Sequence, residues 1–334
     1  MSRQAVLKFL RAHPESCLSG EEMSRTLGLS RTAVWKAVDA LRKEGYTIEA
    51  RSGQGYRLLE TPDHLSEAEV RAFLGTPEGI GRKLICLEEI DSTNNYAKQL
   101  ALSGGEDGTV ILAEQQTAGR GRMDRVFASP KGLGIYLTVL LRPDLPPERL
   151  MPVTALAGVA VCRAVSEACG LELDLKWPND PVLRGKKVCG ILTELSLEAE
   201  TGRLQSLVLG IGLNVHQKPE DFPPELREMA ASLDQALSEP VSRPRLAAAL
   251  IRQLDRLHQT LYDGELQEDL EEYRRRCVNL GKPLQLLHSD GSREQVEGLG
   301  IDQDFALRVR RADGSVQAVR SGEVSVRGLY GYAE

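Results

Sequence analysis

The sequence predicts an α+β protein in three parts, and three observations carry that expectation. Residues 1–62 place apolar residues at helical spacing ahead of a short hairpin. Residues 63–278 alternate strand-like apolar runs with helical segments, the pattern of a mixed sheet covered by helices. Residues 279–334 hold short strands joined by Asp-Gly turns, the pattern of a small β-barrel. A chain of 334 residues has room for two or three domains at about 150 residues each.

In the first part, Val6, Leu7 and Leu10 give one apolar helix face. Ser19 and Glu22 form a capping box that opens a second helix through residue 27. Gly28-Leu29 is a turn. Ser30 caps a third helix, with Val34, Val38 and Leu41 on its inner face and Gly45 at its C-cap. Residues 46–50 and 56–59 read as strands around Arg51-Ser52-Gly53-Gln54-Gly55. Helices joined by a tight glycine turn and followed by a hairpin are the plan of a winged helix-turn-helix. The bland alternative is any small α+β module. On the DNA-binding reading, Ser30, Arg31, Thr32 and Lys36 open the recognition helix and meet the major groove, while Arg51 and Arg57 touch phosphates. Charge agrees: residues 1–60 carry ten Lys/Arg against seven Asp/Glu, a balance of +3, and the remainder carries −9. A basic module on an acidic chain suits a polyanionic partner.

Residues 61–64 read as a linker, and Ser66 with Glu69 caps a helix to about residue 74. Strands are expected at 84–87, 110–114, 134–141, 173–176, 188–197 and 205–214. Helices are expected at 92–102, 152–169, 243–262 and 266–277. The last part supplies strands at 284–288, 294–301, 305–310 and 316–320.

Composition excludes several classes. Hydrophobic residues at 41% and charged residues at 27% are ordinary for a globular chain, not a disordered, collagen-like or coiled-coil one. Uncharged stretches such as 150–162 fall short of the ~20 apolar residues of a membrane span. Lys8 and Arg11 interrupt the apolar N-terminus, so neither a signal peptide nor a membrane partner is expected. Six scattered cysteines without a CxxC read as reduced thiols, hence a cytoplasmic chain. P-loop, G-x-S-x-G and H-E-x-x-H motifs are absent, and Asp124 stands where a dinucleotide fingerprint needs its third glycine.

Five motifs remain. Gln115 to Arg125 packs Gly119, Arg120, Gly121, Arg122 and Arg125 behind a strand. Glycines admit close ligand approach, and arginine forks match phosphate oxygens; a solvated basic turn is the plain alternative. Lys176-Trp177-Pro178-Asn179-Asp180 ends a strand in a rigid polar turn, or Asn179 and Asp180 simply bond their own backbone. Gly185-Lys186-Lys187 leads into an apolar strand, either toward an anion or merely capping a hairpin in water. Gly210 and Gly212 interrupt another strand, as at a bulge or a close ligand approach. Asp91-Ser92-Thr93-Asn94 opens a helix, where capping by Asp91 or Ser92 is the favoured reading in isolation.

In combination, D-S-T-N, Q-x-A-G-R-G-R, K-W-P-N-D, G-K-K-x-x-G-I-L and G-x-G-x-N, in that order, resemble the biotin–protein ligases. With the winged helix in front, the whole chain resembles their bifunctional class, biotin ligase plus biotin operon repressor. The resemblance implies a central ligase domain of the biotin/lipoate type with an SH3-like C-terminal barrel. It implies synthesis of biotinyl-5′-AMP from biotin and Mg·ATP, then transfer of biotin to a lysine of a biotin carboxyl carrier protein. Operator DNA and, with biotinyl-AMP bound, a second copy of the chain are the further partners.

By motif, Ser92, Thr93, Asn94 and Gln116 would meet biotin. Gly119, Arg120, Gly121 and Arg122 would cover the phosphates and the acyl-adenylate, with Arg122 and Lys187 catalytic. Gly190, Gly210 and Gly212 would floor the valerate channel. Arg125, Phe127, Lys176, Asn179, Asn214 and Arg327 would line the nucleotide side, and Asp180 would hold magnesium. Two positions depart from the family: Met123-Asp124 stands where glycine is common, and Phe127 replaces tryptophan. A lipoate or octanoate ligase of the same fold, and a metabolite-sensing transcription factor without turnover, are the alternatives.

Overall fold

Capping residues set the helix starts of the first unit. The three helices are α1 (Ser2–Arg11), α2 (Gly20–Leu27) and α3 (Arg31–Lys43). Ser19 accepts the Glu22 amide at 3.0 Å and Ser30 the Ala33 amide at 3.1 Å, so both expected caps form. Gly28 closes α2 at φ 64°, whereas the C-cap of α3 is Glu44, one residue ahead of the expected Gly45. The computed structural model describes residues 2–51, 53–122, 125–198, 204–288, 290–320, 324–328 and 332, and gives only the backbone of 147, 324, 325, 327 and 328. They divide into two compact units, 1–64 and 65–334.

In the first unit β1 (Thr47–Arg51) and β2 (Gly55–Glu60) pair antiparallel. Val6, Leu10, Met23, Val34, Val38 and Leu41 make the core beneath them. Leu18 and Tyr56 exchange backbone hydrogen bonds of 2.8 and 2.9 Å, which ties the hairpin to the helices. A Cβ on Gly55 would lie 2.0 Å from the Leu18 carbonyl oxygen, and its φ is 110°, so only glycine fits there.

The second unit opens with α4 (Glu67–Leu74), capped by Ser66. There follow β3 (Leu84–Ile90), α5 (Thr93–Leu102), β4 (Thr109–Gln116), β5 (Gly134–Leu141), α6 (Pro147–Leu150) and α7 (Val153–Cys169). Next are β6 (Asp174–Lys176), β7 (Asp180–Leu183), β8 (Lys186–Lys187), β9 (Cys189–Leu197) and β10 (Leu204–Asn214). The helices α8 (Arg243–Asp263) and α9 (Gln267–Arg276) then precede β11 (Pro283–His288), β12 (Arg293–Ile301), β13 (Leu307–Arg310), β14 (Val316–Val319) and β15 (Val324–Gly328).

The central sheet runs β3-β4-β5-β10-β9, with β3 and β4 parallel and the other pairs antiparallel. It is the expected mixed sheet. All eight residues of β5 are buried, as befits a strand covered on both faces. Val110, Leu112, Leu137 and Leu209 face the cluster that holds α7 and α8. Ile111, Leu140 and Val208 pack on Ala97 and Ala101 of α5. The helical stretch Glu148–Cys169 is apolar and long enough to cross a membrane by length and composition. Counting only unbroken uncharged runs misses that; most of it is buried in this core.

A three-stranded sheet β6-β7-β8 and a five-stranded antiparallel sheet β14-β13-β12-β11-β15 complete the unit. The sequence pattern gave no strand at β7, β8 or β15. The first two are too short to carry a period, and β15 is defined by pairing with β11.

Candidate functional site

A cavity of about 300 Å³ is lined by residues following β3, by the end of β4, and by Gly190 of β9 and Gly210 and Gly212 of β10. Its volume suits a small ligand. On one wall the Thr93 amide and hydroxyl both donate to Gln116 Oε1, at 2.9 and 3.0 Å. Gln116 Nε2 donates to Ser129 Oγ at 2.8 Å. Asn94 Nδ2 donates to Glu194 Oε2 at 2.9 Å, and its Oδ1 accepts from Thr138 at 2.7 Å. Both amides are therefore held in one orientation before any ligand arrives. Thr138, Ser129 and Glu194 had no motif to announce them; they lie on strands or loops whose apolar neighbours dominate the pattern.

The capping expected of Asp91 or Ser92 does not occur. Ser92 occupies the N-cap position without a side-chain capping bond, and Asp91 accepts from Asn95 Nδ2 at 2.9 Å. Ser92, with its extended backbone, is one of the residues that line the cavity.

The Gly-Arg segment is a narrow ribbon rather than an open loop. Phe127 N–H donates to the Gly119 carbonyl at 2.9 Å, and Gly121 N–H to Arg125 at 2.7 Å. A Cβ on Gly119 would lie 2.3 Å from the Phe127 carbonyl oxygen, which explains that glycine. Arg120 reaches Asn95 Oδ1 at 3.4 Å and Glu194 at 3.9 Å. Arg122 and Arg125 line the cavity and, among the described residues, carry no ion pair. Met123 and Asp124 lie outside the described residues.

Phe127 rests on the glycine floor. A Cβ on Gly212 would meet its ring at 2.5 Å, one on Gly190 at 3.1 Å, and one on Gly210 would meet Asn94 Oδ1 at 2.1 Å. The missing side chains at 190, 210 and 212 thus make room first for protein groups.

The turn after β6 is braced from several sides. Trp177 donates its backbone N–H to Asn279 Oδ1 at 2.7 Å and its indole N–H to the Phe305 carbonyl at 3.0 Å. Tyr273 Oη donates to the Pro178 carbonyl at 2.9 Å, and Asn179 Nδ2 to the Ile191 carbonyl at 2.8 Å. The Trp177-Pro178 peptide is cis. Asn179 and Asp180 thus bond across the fold, not to their own backbone. Asn214 likewise donates to the Ala231 carbonyl at 3.1 Å while lining the cavity.

Lys187 is no solvated cap: its Nζ lies 2.5 Å from Asp180 Oδ1. Tyr332 donates to Asp180 Oδ2. Burial would push the Asp180 carboxyl up, but the Lys187 charge and hydrogen bond, the Tyr332 hydrogen bond and the Lys176 charge outweigh it and hold it below the ordinary carboxyl value. Lys187 and Tyr332 engage both Asp180 oxygens, so a magnesium ion arriving with ATP would meet a carboxylate that is already paired. Among the described residues no three His, Cys, Asp or Glu groups converge as a metal site. The backbone of Arg327 lies in β15 opposite Gln285; its side chain lies outside the described residues. Tyr332, which no motif flagged, is the aromatic on the cavity wall from the chain end.

In the first unit three expected DNA contacts are already paired. Arg31 bonds Glu21 at 2.8 Å, Arg51 bonds Glu49 at 3.0 Å, and Arg57 bonds Glu15 at 2.9 Å and the Pro14 carbonyl at 3.1 Å. Such exposed pairs are weak and exchangeable, although Arg57 also braces β2 to the α1–α2 loop. Ser30 spends its hydroxyl on the cap. Thr32 and Lys36 are exposed on α3, and between them Trp35 is 57% exposed, a residue the charge-based reading missed.

The amides of Gln116 and Asn94, the Gly-Arg ribbon and the lysines Lys176 and Lys187 thus meet at one cavity beside the mixed sheet. Residues 86–214 match the Biotin/lipoate A/B protein ligase family, and residues 2–57 match an HTH domain. The chain is 48% identical over 226 residues to the bifunctional ligase/repressor BirA of Bacillus subtilis, covering 68% of this chain and 69% of that one. It is 31% identical over 321 residues to the bifunctional ligase/repressor BirA of Escherichia coli, covering 92% of each. Among solved structures, the biotin protein ligase of Aquifex aeolicus in complex with biotin and ATP superposes with a TM-score of 0.63 at 27% identity, covering 74% of this chain and 99% of that one. The chain belongs to the biotin/lipoate A/B protein ligase family and carries an N-terminal helix-turn-helix domain.

Proposed function

We propose that this chain makes biotinyl-5′-AMP from biotin and Mg·ATP, passes biotin to a lysine of a biotin carboxyl carrier protein, and represses biotin-synthesis genes through its first unit. The observation that carries this reading is one shared cavity, in which the oriented amides of Gln116 and Asn94 share walls with Arg122, Arg125, Lys176 and Lys187. A cyclic urea needs such fixed donors and acceptors; a carboxylate and a triphosphate need the cations.

In the first step a carboxylate oxygen attacks the α-phosphorus, the bond to the β-phosphate oxygen breaks, and pyrophosphate leaves. In the second the carrier amine attacks the acyl carbon, loses its proton, and AMP leaves. Two anions must first be brought together, so positioning and charge dominate the barrier. Lys187 and Arg122 supply the charge at the reacting groups; Arg120 and Gly121 cover the acyl-adenylate; Lys176 and Asn179 face the nucleotide. Magnesium enters with ATP as substrate. No enzyme nucleophile is required, and burial pushes the nearby Cys189 thiol far from ionising.

Operator DNA is met by Thr32, Trp35 and Lys36, with Arg31 and Arg51 exchanging their carboxylates for phosphates. A homodimer with biotinyl-AMP bound, working in the cytoplasm, completes the proposal. Biotin-dependent ATP–pyrophosphate exchange tests it, with lipoate and octanoate as competing acids. Binding of biotin without exchange would leave only a sensor.

A further inference from the structure

The C-terminal sheet and Tyr332 both contribute to the candidate site. β15 pairs with β11 and brings Val326 to the cavity wall, and six residues on Tyr332 stands on the same wall. Tyr332 reaches both Asp180 and Lys176 there. Its phenol donates to Asp180 Oδ2, while the other oxygen of that carboxylate holds Lys187 Nζ. Its ring lies 3.5 Å from Lys176 Nζ, inside cation–π range. One aromatic residue from the end of the chain thus touches the carboxylate that holds one site lysine and the ammonium of the other.

From this geometry we infer that Tyr332 is a positioning residue for both lysines, its hydroxyl fixing Lys187 through Asp180 and its ring fixing Lys176. The inference rests on the ligase reading above and deepens it: the C-terminal sheet completes the site by means of a tyrosine. The two functions reside in separable parts of one side chain. A carboxylate with a second donor is held in one rotamer, so the ammonium on its other oxygen is held too. A ring beneath a buried ammonium replaces part of the hydration it has lost.

The test uses the full chain with Tyr332→Phe and Tyr332→Ala. Removing the phenol should lower kcat for pyrophosphate exchange roughly tenfold, as for a lost hydrogen bond to a charged group, with KM for ATP within twofold of the parent. Tyr332→Ala should show the same fall and a KM for ATP several-fold higher. Calorimetry with ATP alone reads the ring without turnover: weaker binding by several-fold in Tyr332→Ala, and parental binding in Tyr332→Phe. If the parent shows no biotin-dependent exchange, the ligase reading fails and the calorimetric arm still decides the positioning of Lys176. Parental kcat in Tyr332→Phe, or equal ATP binding in all three proteins, overturns the inference.

Discussion

The indole N–H of Trp177 donates to the carbonyl of Phe305 across 3.0 Å, joining the turn after β6 to the connection between β12 and β13. Trp177 is 1% exposed, and Phe305 adopts φ 62°, a left-handed conformation unusual for a side chain of its size. The bond therefore secures a strained residue as well as the turn that presents Lys176, Asn179 and Asp180. Trp177→Phe keeps most of the apolar bulk and strands a buried carbonyl, which costs about 1–3 kcal/mol. The urea midpoint should fall accordingly. An unchanged midpoint would mean that the carbonyl has another donor.

Lys187→Ala should reduce biotin-dependent pyrophosphate exchange by about 10²–10³, the usual cost of removing one electrostatic stabiliser. It also deprives Asp180 of its nearest cation, so the carboxyl pKa should rise. An exchange rate equal to the parent's would remove Lys187 from the chemistry.

Gly210→Ala places a methyl group 2.1 Å from Asn94 Oδ1. Asn94 must then give up its bond to Thr138 or to Glu194. Biotin affinity should fall roughly tenfold, in line with about 1.4 kcal/mol for one misdirected polar group. Isothermal titration with biotin reads it, and parental affinity would show that Asn94 does not orient the ligand.

The α7–α9 contact should be acid-sensitive. Burial raises the Glu272 pKa, but Arg276 and Arg163 outweigh it and hold the carboxyl below its ordinary value. A depressed folded pKa adds stability that is fully present above the ordinary carboxyl range and is lost as pH falls through the folded value. Stability of the parent should therefore drop below about pH 4 more steeply than that of Glu272→Gln. Equal slopes on urea unfolding would assign no such role to Glu272.

DNA binding should be salt-dependent. Arg51→Ala should lower the log–log salt slope by about 0.9, the share of one lost phosphate contact. Trp35→Ala should weaken specific binding and leave that slope alone. A parental slope in Arg51→Ala would place Arg51 off the backbone.

What the sequence reveals here depends on how local its physics is. Capping serines at 19, 30 and 66 act within three residues, so they could be read directly and form as expected. β5 and β10 carry long apolar runs and fall within one residue of the expected bounds. Most of the motif residues, Gly119 apart, line one cavity, but their partners do not announce themselves. Glu194, Thr138 and Tyr332 are 100, 44 and 152 residues from the groups they bond. Asp180 is an example: its polar turn is legible in the sequence, but the lysine and the tyrosine that hold its carboxylate are supplied by tertiary contacts. Arg31, Arg51 and Arg57 carry the expected charge, yet nearby glutamates were invisible as partners without the fold.

Mass spectrometry of the purified full chain after incubation with biotin and Mg·ATP is the most direct measurement. A bound species with the mass of biotinyl-5′-AMP, formed with stoichiometric pyrophosphate and discharged onto a biotin carboxyl carrier protein, is the expected result. Bound biotin with neither adenylate nor pyrophosphate would contradict acyl activation at this cavity.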